Sequence, residues 1–553
     1  MTGYPPGIRK LIKYVEETRP ERLKKQYRRL TPEEREKLLK EWHPDYKPGT
    51  RRQLRVGPSK GATVYNEVAD LLEAWPLIEP NEIDLSKIDY DVDVLVIGGG
   101  GAGATAVLWA IYSGVSPDAI LLATKLRFGD SNTCKAQSGI QAADRPEDSP
   151  VLHFIDTIGG GLYANKPELV EVLVTEAPYI IKWLEDLGVM FDKNTEGDFV
   201  EYSGGGACRR RLHCARDYTG LEFMRVLKDE VLSYGVEVLE YTPAVELLVD
   251  PEDGGVSGAV LWNMETGEYY VVRSKATILA TGGAGRIHIA GFPTSNHYGA
   301  TMDGVVMAYR VGANVVHLDT FQYHPTGVAF PEAIRGELIP EKTRSLGAQL
   351  VNVHGTLFVY QLETRDVVAS AIIKECAEGR GITTPTGACG VWLDTPMIEE
   401  LRGPGTIKKA LPALYRMFAR HGIDITQEPI LTYPTLHYQN GGIEIDPATR
   451  ALRPDGTPVP RLLAAGEVTG GVHGRNRLVG NSLADILVFG RRAGITAAKI
   501  VKEQAVKPRL SFKHLEKFVE ELKALNVPRE RKSPIILPDY RGERALLRSL
   551  KLI

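Results

Sequence analysis

No run of about 18 apolar residues occurs in the chain, so no segment reads as a membrane-spanning helix. Met1 to Pro20 is polar and charged, without the apolar stretch of a secretory signal. Cysteine is scarce: there are five, Cys134, Cys208, Cys214, Cys376 and Cys389, and none belongs to a C-x-x-C pair. That spacing argues against an iron–sulfur cluster or a four-thiolate zinc site held by this chain, and no metal is expected. Sparse thiols in odd number fit a reducing, cytoplasmic compartment. Each reads as a small core residue, with Cys134 singled out because it lies inside a ligand-contact motif described below. Internal repeats and long low-complexity tracts are also missing.

What is present is ordinary in bulk and uneven in detail. With 553 residues, 43% apolar and 25% charged, the chain can bury a large core as two or three domains. Its 56 glycines predict many tight turns and close backbone approaches. The net charge is −3, yet residues 1–60 carry 17 lysines and arginines against 8 acidic residues, a surplus of nine. Such an arm could dock on acidic protein, nucleic acid or lipid. The charges alternate, however, and Thr31-Pro-Glu-Glu34 is a helix start. The arm therefore reads as a solvated or partner-packed helical extension. Nothing in it supports nucleic-acid binding.

Asp91 to Ile97 is a short apolar run ending in glycines, which predicts a buried parallel strand. A helix over 102–114 and a strand over 120–123 complete a β-α-β unit. Amphipathic helices are predicted at 166–190 and 219–234, an antiparallel meander over 235–275, and a buried strand over 276–280. The pattern changes at 318–434, read as an inserted domain, and returns to strand, glycine loop and helix from 461. The fold class is α/β: a Rossmann-like dinucleotide-binding domain with an inserted α+β capping domain. The expected boundaries are a basic helical extension (1–90), the first binding part (91–317), the cap (318–434), the second binding part (435–505) and a short, charged helical tail (506–553).

Gly98-Gly-Gly100-Gly-Ala-Gly103 fits G-x-G-x-x-G between strand and helix. The first glycine permits the turn, the second lets backbone reach a pyrophosphate, and the third allows close helix packing. Free N–H groups at the helix start favour phosphate. The next strand ends in Thr124-Lys125, without the carboxylate that usually holds a ribose. Ala280-Thr281-Gly282-Gly283 and Ala465-Gly466-Glu467 follow strands in the manner of FAD proteins. Far downstream, His473-Gly-Arg-Asn-Arg477-Leu-Val-Gly-Asn481-Ser482-Leu483 gathers two guanidiniums, an imidazole and a small-residue loop, which suits an anionic substrate meeting a cofactor.

Over residues 91–505 the ordered motifs resemble the flavoprotein subunits of succinate dehydrogenase and fumarate reductase, and L-aspartate oxidase. The resemblance implies FAD, with Gly98, Gly100 and Gly103 at the pyrophosphate and Thr124, Lys125, Thr281, Gly282 and Asp303 along the cofactor. It places Glu467 at the ribityl or ribose and Asn481, Ser482 and Leu483 near the isoalloxazine. Ser131-Asn132-Thr133-Cys-Lys-Ala-Gln137-Ser-Gly139 matches a segment in which membrane-bound members carry a histidine joined covalently to FAD. An asparagine cannot form that bond, so the FAD is expected to be non-covalent, which in the family goes with fumarate reduction.

The same resemblance assigns a C4 dicarboxylate site. Phe321-Gln-Tyr-His324-Pro-Thr-Gly327, Pro340-Glu341-Lys-Thr-Arg344, Arg365 and His437-Tyr-Gln-Asn-Gly-Gly442 match its motifs. His437 and Arg477 would clamp one carboxylate and His324 would assist the other. Flavin N5 would deliver hydride and Arg365 the proton, fed by Glu341 and Arg344. Arginine suits both tasks, giving bidentate contacts and a persistent charge. Electrons would come from a separate iron–sulfur or other redox subunit. Pro340, Thr301-Met302-Asp303-Gly304 and Ser138 depart from the family pattern. L-aspartate oxidase, to which Arg209-Arg-Arg-Leu-His213 bears some likeness, and an electron-transfer subunit without dicarboxylate turnover are the alternative functions.

Overall fold

The computed structural model describes residues 3–25 and 27–538. After one short helical turn at Pro6–Arg9 come two longer helices, Ile12–Arg22 (α1) and Pro32–Trp42 (α2). Thr31 and Glu34 close a capping box on α2: Thr31 Oγ1 accepts from Glu34 N at 3.3 Å, and Glu34 accepts from Thr31 N at 2.9 Å. Ile8, Ile12 and Val15 recur at helical spacing and, with Tyr4, are buried in the core of the segment expected to be the cap. Leu54, Val56, Val64, Tyr65, Val68 and Trp75 instead join the core built around the central sheet. Residues 3–25 and 27–90 carry helices, as expected, at Ile12–Arg22, Pro32–Trp42 and Asn66–Leu72, but they are not a solvated arm. They form a strap seated on two cores, with strands at Arg51–Gln53 and Thr63–Tyr65. The reason is the apolar residues carried between the charges.

The central sheet follows from alternating apolar strands and glycine-rich turns. Tyr90–Ile97 (β1) leads through the glycine loop into Gly101–Tyr112 (α3), and Ile120–Ala123 (β2) lies parallel to β1. Pro150–Gly160 (α4) packs beside the later cofactor segment. Glu237–Leu239 (β3) adds to the sheet parallel to β2, a departure from the antiparallel meander expected there. Ala244–Val249 (β4), Val256–Trp262 (β5) and Tyr269–Leu279 (β6) do form that meander. The order is β4-β5-β6-β1-β2-β3, with β6 parallel to β1.

Phe321–Val328 (β7), Arg365–Ala377 (α5), Cys389–Asp394 (β8) and Ile430–Gln439 (β9) build a second sheet with its own helix. Strand β9 pairs antiparallel with both β7 and β8. The chain then returns to the first sheet: Pro458–Ala464 (β10) lies parallel to β6. Asn481–Glu503 (α6) packs along α3. Of the tail, Lys513–Ala524 is helical and buries Leu515, Phe518 and Leu522. The remainder through residue 538 is largely irregular, and residues 539–553 of the expected helical tail lie outside the described residues.

Candidate active site

A cleft runs from the glycine loop to the seam with the second sheet. Its floor is the β1–α3 turn. Gly98 has φ +121°, and a Cβ there would fall 2.2 Å from Ala280 O. Gly103 supports the turn from behind, since a Cβ on it would meet Gly98 O at 1.9 Å. Gly98, Gly100, Thr124, Ser131 and Thr133 line this end, and Gly101 N donates to Thr133 Oγ1 at 3.1 Å. Lys125 and Asp303 also face the cleft, but they form a close ion pair with each other, and Lys125 donates to Thr301 Oγ1 at 2.7 Å. Thr281 and Gly282 complete the wall, and the Thr281 hydroxyl is buried without a protein partner. An elongated cleft, a side-chain-free turn at a helix N-terminus and an unpartnered hydroxyl fit FAD.

Asn132 sits in the middle of the cleft. It donates to Asn296 Oδ1 at 2.7 Å and Glu467 Oε2 at 3.0 Å, and accepts from His297 N at 2.6 Å. Glu467 also accepts from Gln439 N at 3.1 Å. Ser482 and Leu483 face the cleft from the start of α6. Asn481 turns away: His153 and Thr157 of α4 take its carboxamide at 2.9 and 3.0 Å. Gln137 and Gly139 likewise lie off the cleft lining. Gly139 serves a tight strand crossing, where a Cβ would approach His213 O to 2.4 Å.

Next to Ser482 the basic residues converge. Arg365 Nε and Arg344 Nη2 both donate to Glu341 Oε2, at 2.8 and 3.0 Å, and Glu341 Oε1 accepts from Gly205 N at 2.6 Å. Burial pushes the Glu341 carboxyl up, but Arg365 and Arg344 outweigh it and hold it at about 2. Arg365 Nη1 and Arg477 Nη2 then donate to one oxygen, Gln322 Oε1. Arg477 donates to Ser482 Oγ at 2.9 Å and lies 4.4 Å from the Tyr438 ring centroid. Among the described residues no carboxylate forms an ion pair with Arg477, and burial followed by repulsion from Arg365 lowers it to about 9. Arg475, the other guanidinium of that segment, instead pairs with Asp319 at 2.7 Å, and His473 with Asp485 at 3.0 Å.

His324 and His437 stand 5.1 Å apart between ring centroids. Burial, then the nearby guanidiniums, holds both imidazoles neutral. His437 Nδ1 meets Ser295 Oγ at 2.7 Å, and His324 Nε2 is buried without a partner. Three supporting residues escaped sequence reasoning. Gln322 lies inside the Phe321–Gly327 motif, which is the signal that points to it. Ser138, noted only as a departure, accepts from Glu341 N at 3.0 Å. Ser295 lies in a loop with no motif signal.

Fold and site together can be set against known proteins. The FAD binding domain family matches residues 93–483. One component of the fumarate reductase (CoM/CoB) of Methanothermobacter marburgensis is 40% identical over 441 residues, covering 78% of this chain and 76% of that protein. The chain belongs to the FAD-dependent fumarate reductase and succinate dehydrogenase flavoprotein family. L-aspartate oxidase of Streptomyces coelicolor is a further relative of this flavoprotein, 36% identical over 73% of this chain and 68% of that one. In solved structures, a variant FrdA of E. coli quinol fumarate reductase superimposes with a TM-score of 0.69 at 30% identity, covering 79% of this chain and 74% of that chain. The Rossmann-like FAD-binding fold and the FAD cofactor follow from membership of this oxidoreductase family. Among the described residues no helix is long and apolar enough to cross a membrane.

Proposed function

We propose that this flavoprotein interconverts fumarate and succinate, acting chiefly as a fumarate reductase with non-covalent FAD. The observation that carries the reading is Arg477, a buried cation that lacks a carboxylate partner among the described residues and converges with Arg365 on the neutral Gln322. A buried cation without a counter-ion is costly, and a dicarboxylate entering the seam supplies the missing charge. Arg477 and neutral His437 bind one carboxylate, and His324, through its free Nε2, binds the other. FAD, when bound, supplies or accepts the hydride. Arg365 holds the proton for the second carbon at its Nη groups, and Glu341 with Arg344 positions that guanidinium and replenishes it.

Asn132 supports a non-covalent cofactor, because its amide is engaged in three hydrogen bonds and has no nucleophilic ring nitrogen. With no cluster motif of its own, the chain exchanges electrons with a separate iron–sulfur or other redox protein. It works in the cytoplasm or at the edge of a membrane-associated complex. Relatives named for fumarate reductase and succinate dehydrogenase support this reading. Anaerobic stopped-flow is the test. Photoreduced enzyme should be reoxidised by fumarate in milliseconds to seconds, and indifference to fumarate with oxidation of L-aspartate to iminoaspartate would replace the reading with an oxidase.

A further inference from the structure

Cys376 lies in the last turn of α5 and Cys389 opens β8, both partly exposed. Between them in the chain and in space is Gly381. A Cβ there would fall 2.2 Å from Cys389 Sγ and 2.8 Å from Cys376 Sγ. Both sulfurs therefore fill the volume of one missing side chain, no further apart than those two distances end to end. At that separation the two thiols perturb each other, Cys389 being lowered and Cys376 raised. The backbone on both sides is fixed. Gly379 N donates to Cys376 O at 3.2 Å and Arg380 N to Glu375 O at 2.8 Å, while Thr383 and Ile382 pair with Cys389 and Gly390. Rotation about the two χ1 bonds is the motion left to bring sulfur to sulfur.

The neighbours at 377–379, 383 and 385–387 are exposed, so reagents can reach the pair from solvent. No other cysteine is so placed. The Cys134 thiol donates to Gly129 O, the Cys214 thiol to Ser138 O, and Cys208 stands beside Arg211.

We propose that Cys376 and Cys389 form a reversible dithiol–disulfide couple, a modification site in the second sheet that reacts with low-molecular-weight disulfides. Cys389 attacks first, because the close approach of the two sulfurs at Gly381 lowers its thiol and raises that of Cys376. The Cys389 thiolate displaces one thiolate from the reagent, giving a mixed disulfide. Cys376 then loses its proton, attacks the Cys389 sulfur and releases the second thiol. One reagent disulfide is reduced to two thiols, and two protein thiols are oxidised to one disulfide.

The couple uses no residue of the dicarboxylate site, so its test stands apart from the functional reading. FAD-loaded, full-length protein is incubated with excess oxidised glutathione, then denatured for thiol counting and peptide mass mapping. The expected result is a fall from five thiols to three, with a single Cys376–Cys389 cross-link reversed by dithiothreitol. C376S should trap one equivalent of glutathione on Cys389, and C389S should form no cross-link. Both serine variants should retain FAD with the visible spectrum and thermal midpoint of the parent, showing that they fold. Five thiols surviving, a cross-link between any other pair, or glutathione retained in the parent on Cys208 alone would each overturn the proposal.

Discussion

Arg365 and Arg477 reach the same atom, Gln322 Oε1, at 2.9 and 3.0 Å. Two like charges share a neutral acceptor there, so the site carries positive potential ready for an anion. Replacing that acceptor with a carboxylate removes the deficit without changing its shape. Gln322→Glu should therefore raise KM for fumarate at least tenfold, with flavin content unchanged. Steady-state kinetics with an artificial donor checks this, and an unaltered KM would show that the two guanidiniums do not form the anion site.

Under the proposed function, Arg477 should also set a pH limit. Its guanidinium is lowered to about 9 in the free site, and a bound carboxylate would raise it again. Binding then takes up a proton only when pH exceeds that value, so affinity is full below it and lost above it. The dissociation constant of a C4 dicarboxylate, read from flavin difference spectra, should rise about tenfold per pH unit above 9. A flat profile from pH 8 to 10.5 contradicts the assignment of Arg477 as the clamp.

Under the same proposal, Glu341 should separate chemistry from binding. Glu341→Gln keeps shape and burial but leaves Arg344 and Arg365 without their shared carboxylate. Loss of proton relay should cut kcat by about a hundredfold or more, while succinate affinity changes less than threefold. The solvent pH profile of the remaining rate should flatten as well. A variant with near-parent kcat would remove Glu341 from the relay.

The parts of this architecture readable in sequence were those fixed locally. Val94 to Ile97 is a continuous apolar run, and the glycines after it leave little alternative to a strand–turn–helix. His324, Glu341, Arg344, Arg365, His437 and Arg477 carried motif context. Orientation was harder to read: Asn481 and Ser482 are adjacent, yet one turns to α4 and the other to the cleft. A motif does not say which way a side chain at a helix start will point. The strap was missed for another reason. Ile8, Ile12 and Val15 have helical spacing, but alternating charges around them resemble a solvated face, and burial is decided by distant partners.

Asn132 gives a direct check on the cofactor linkage. Acid precipitation of purified protein should leave all flavin in the supernatant, and none should migrate with the polypeptide under denaturing electrophoresis. Fluorescence of the band in acid would show a covalent flavin and overturn this reading.

The strap is held to the second sheet by a buried charge cluster. Asp394 is fully buried and accepts from Arg19 at 2.8 Å and Arg22 at 2.7 Å, with Arg22 also donating to Gln349 Oε1 at 2.9 Å. Asp394→Ala leaves Arg22, only 6% exposed, without a carboxylate partner among the described residues, while Arg19 keeps Glu400 at 3.3 Å. Removing one partner of a buried pair costs about 3–5 kcal/mol. The ion pair between Arg9 and Glu428, with Arg9 52% exposed, offers a control near the same helix. Arg9→Ala should cost less than about 1 kcal/mol. Urea unfolding followed by near-ultraviolet dichroism, with trypsin cleavage of the first 25 residues as a local probe, separates the two. Asp394→Ala should lower the midpoint and speed cleavage at least tenfold, whereas Arg9→Ala should do neither. Equal behaviour of the two variants would mean that the strap is held by Tyr4, Ile8, Ile12 and Val15 alone.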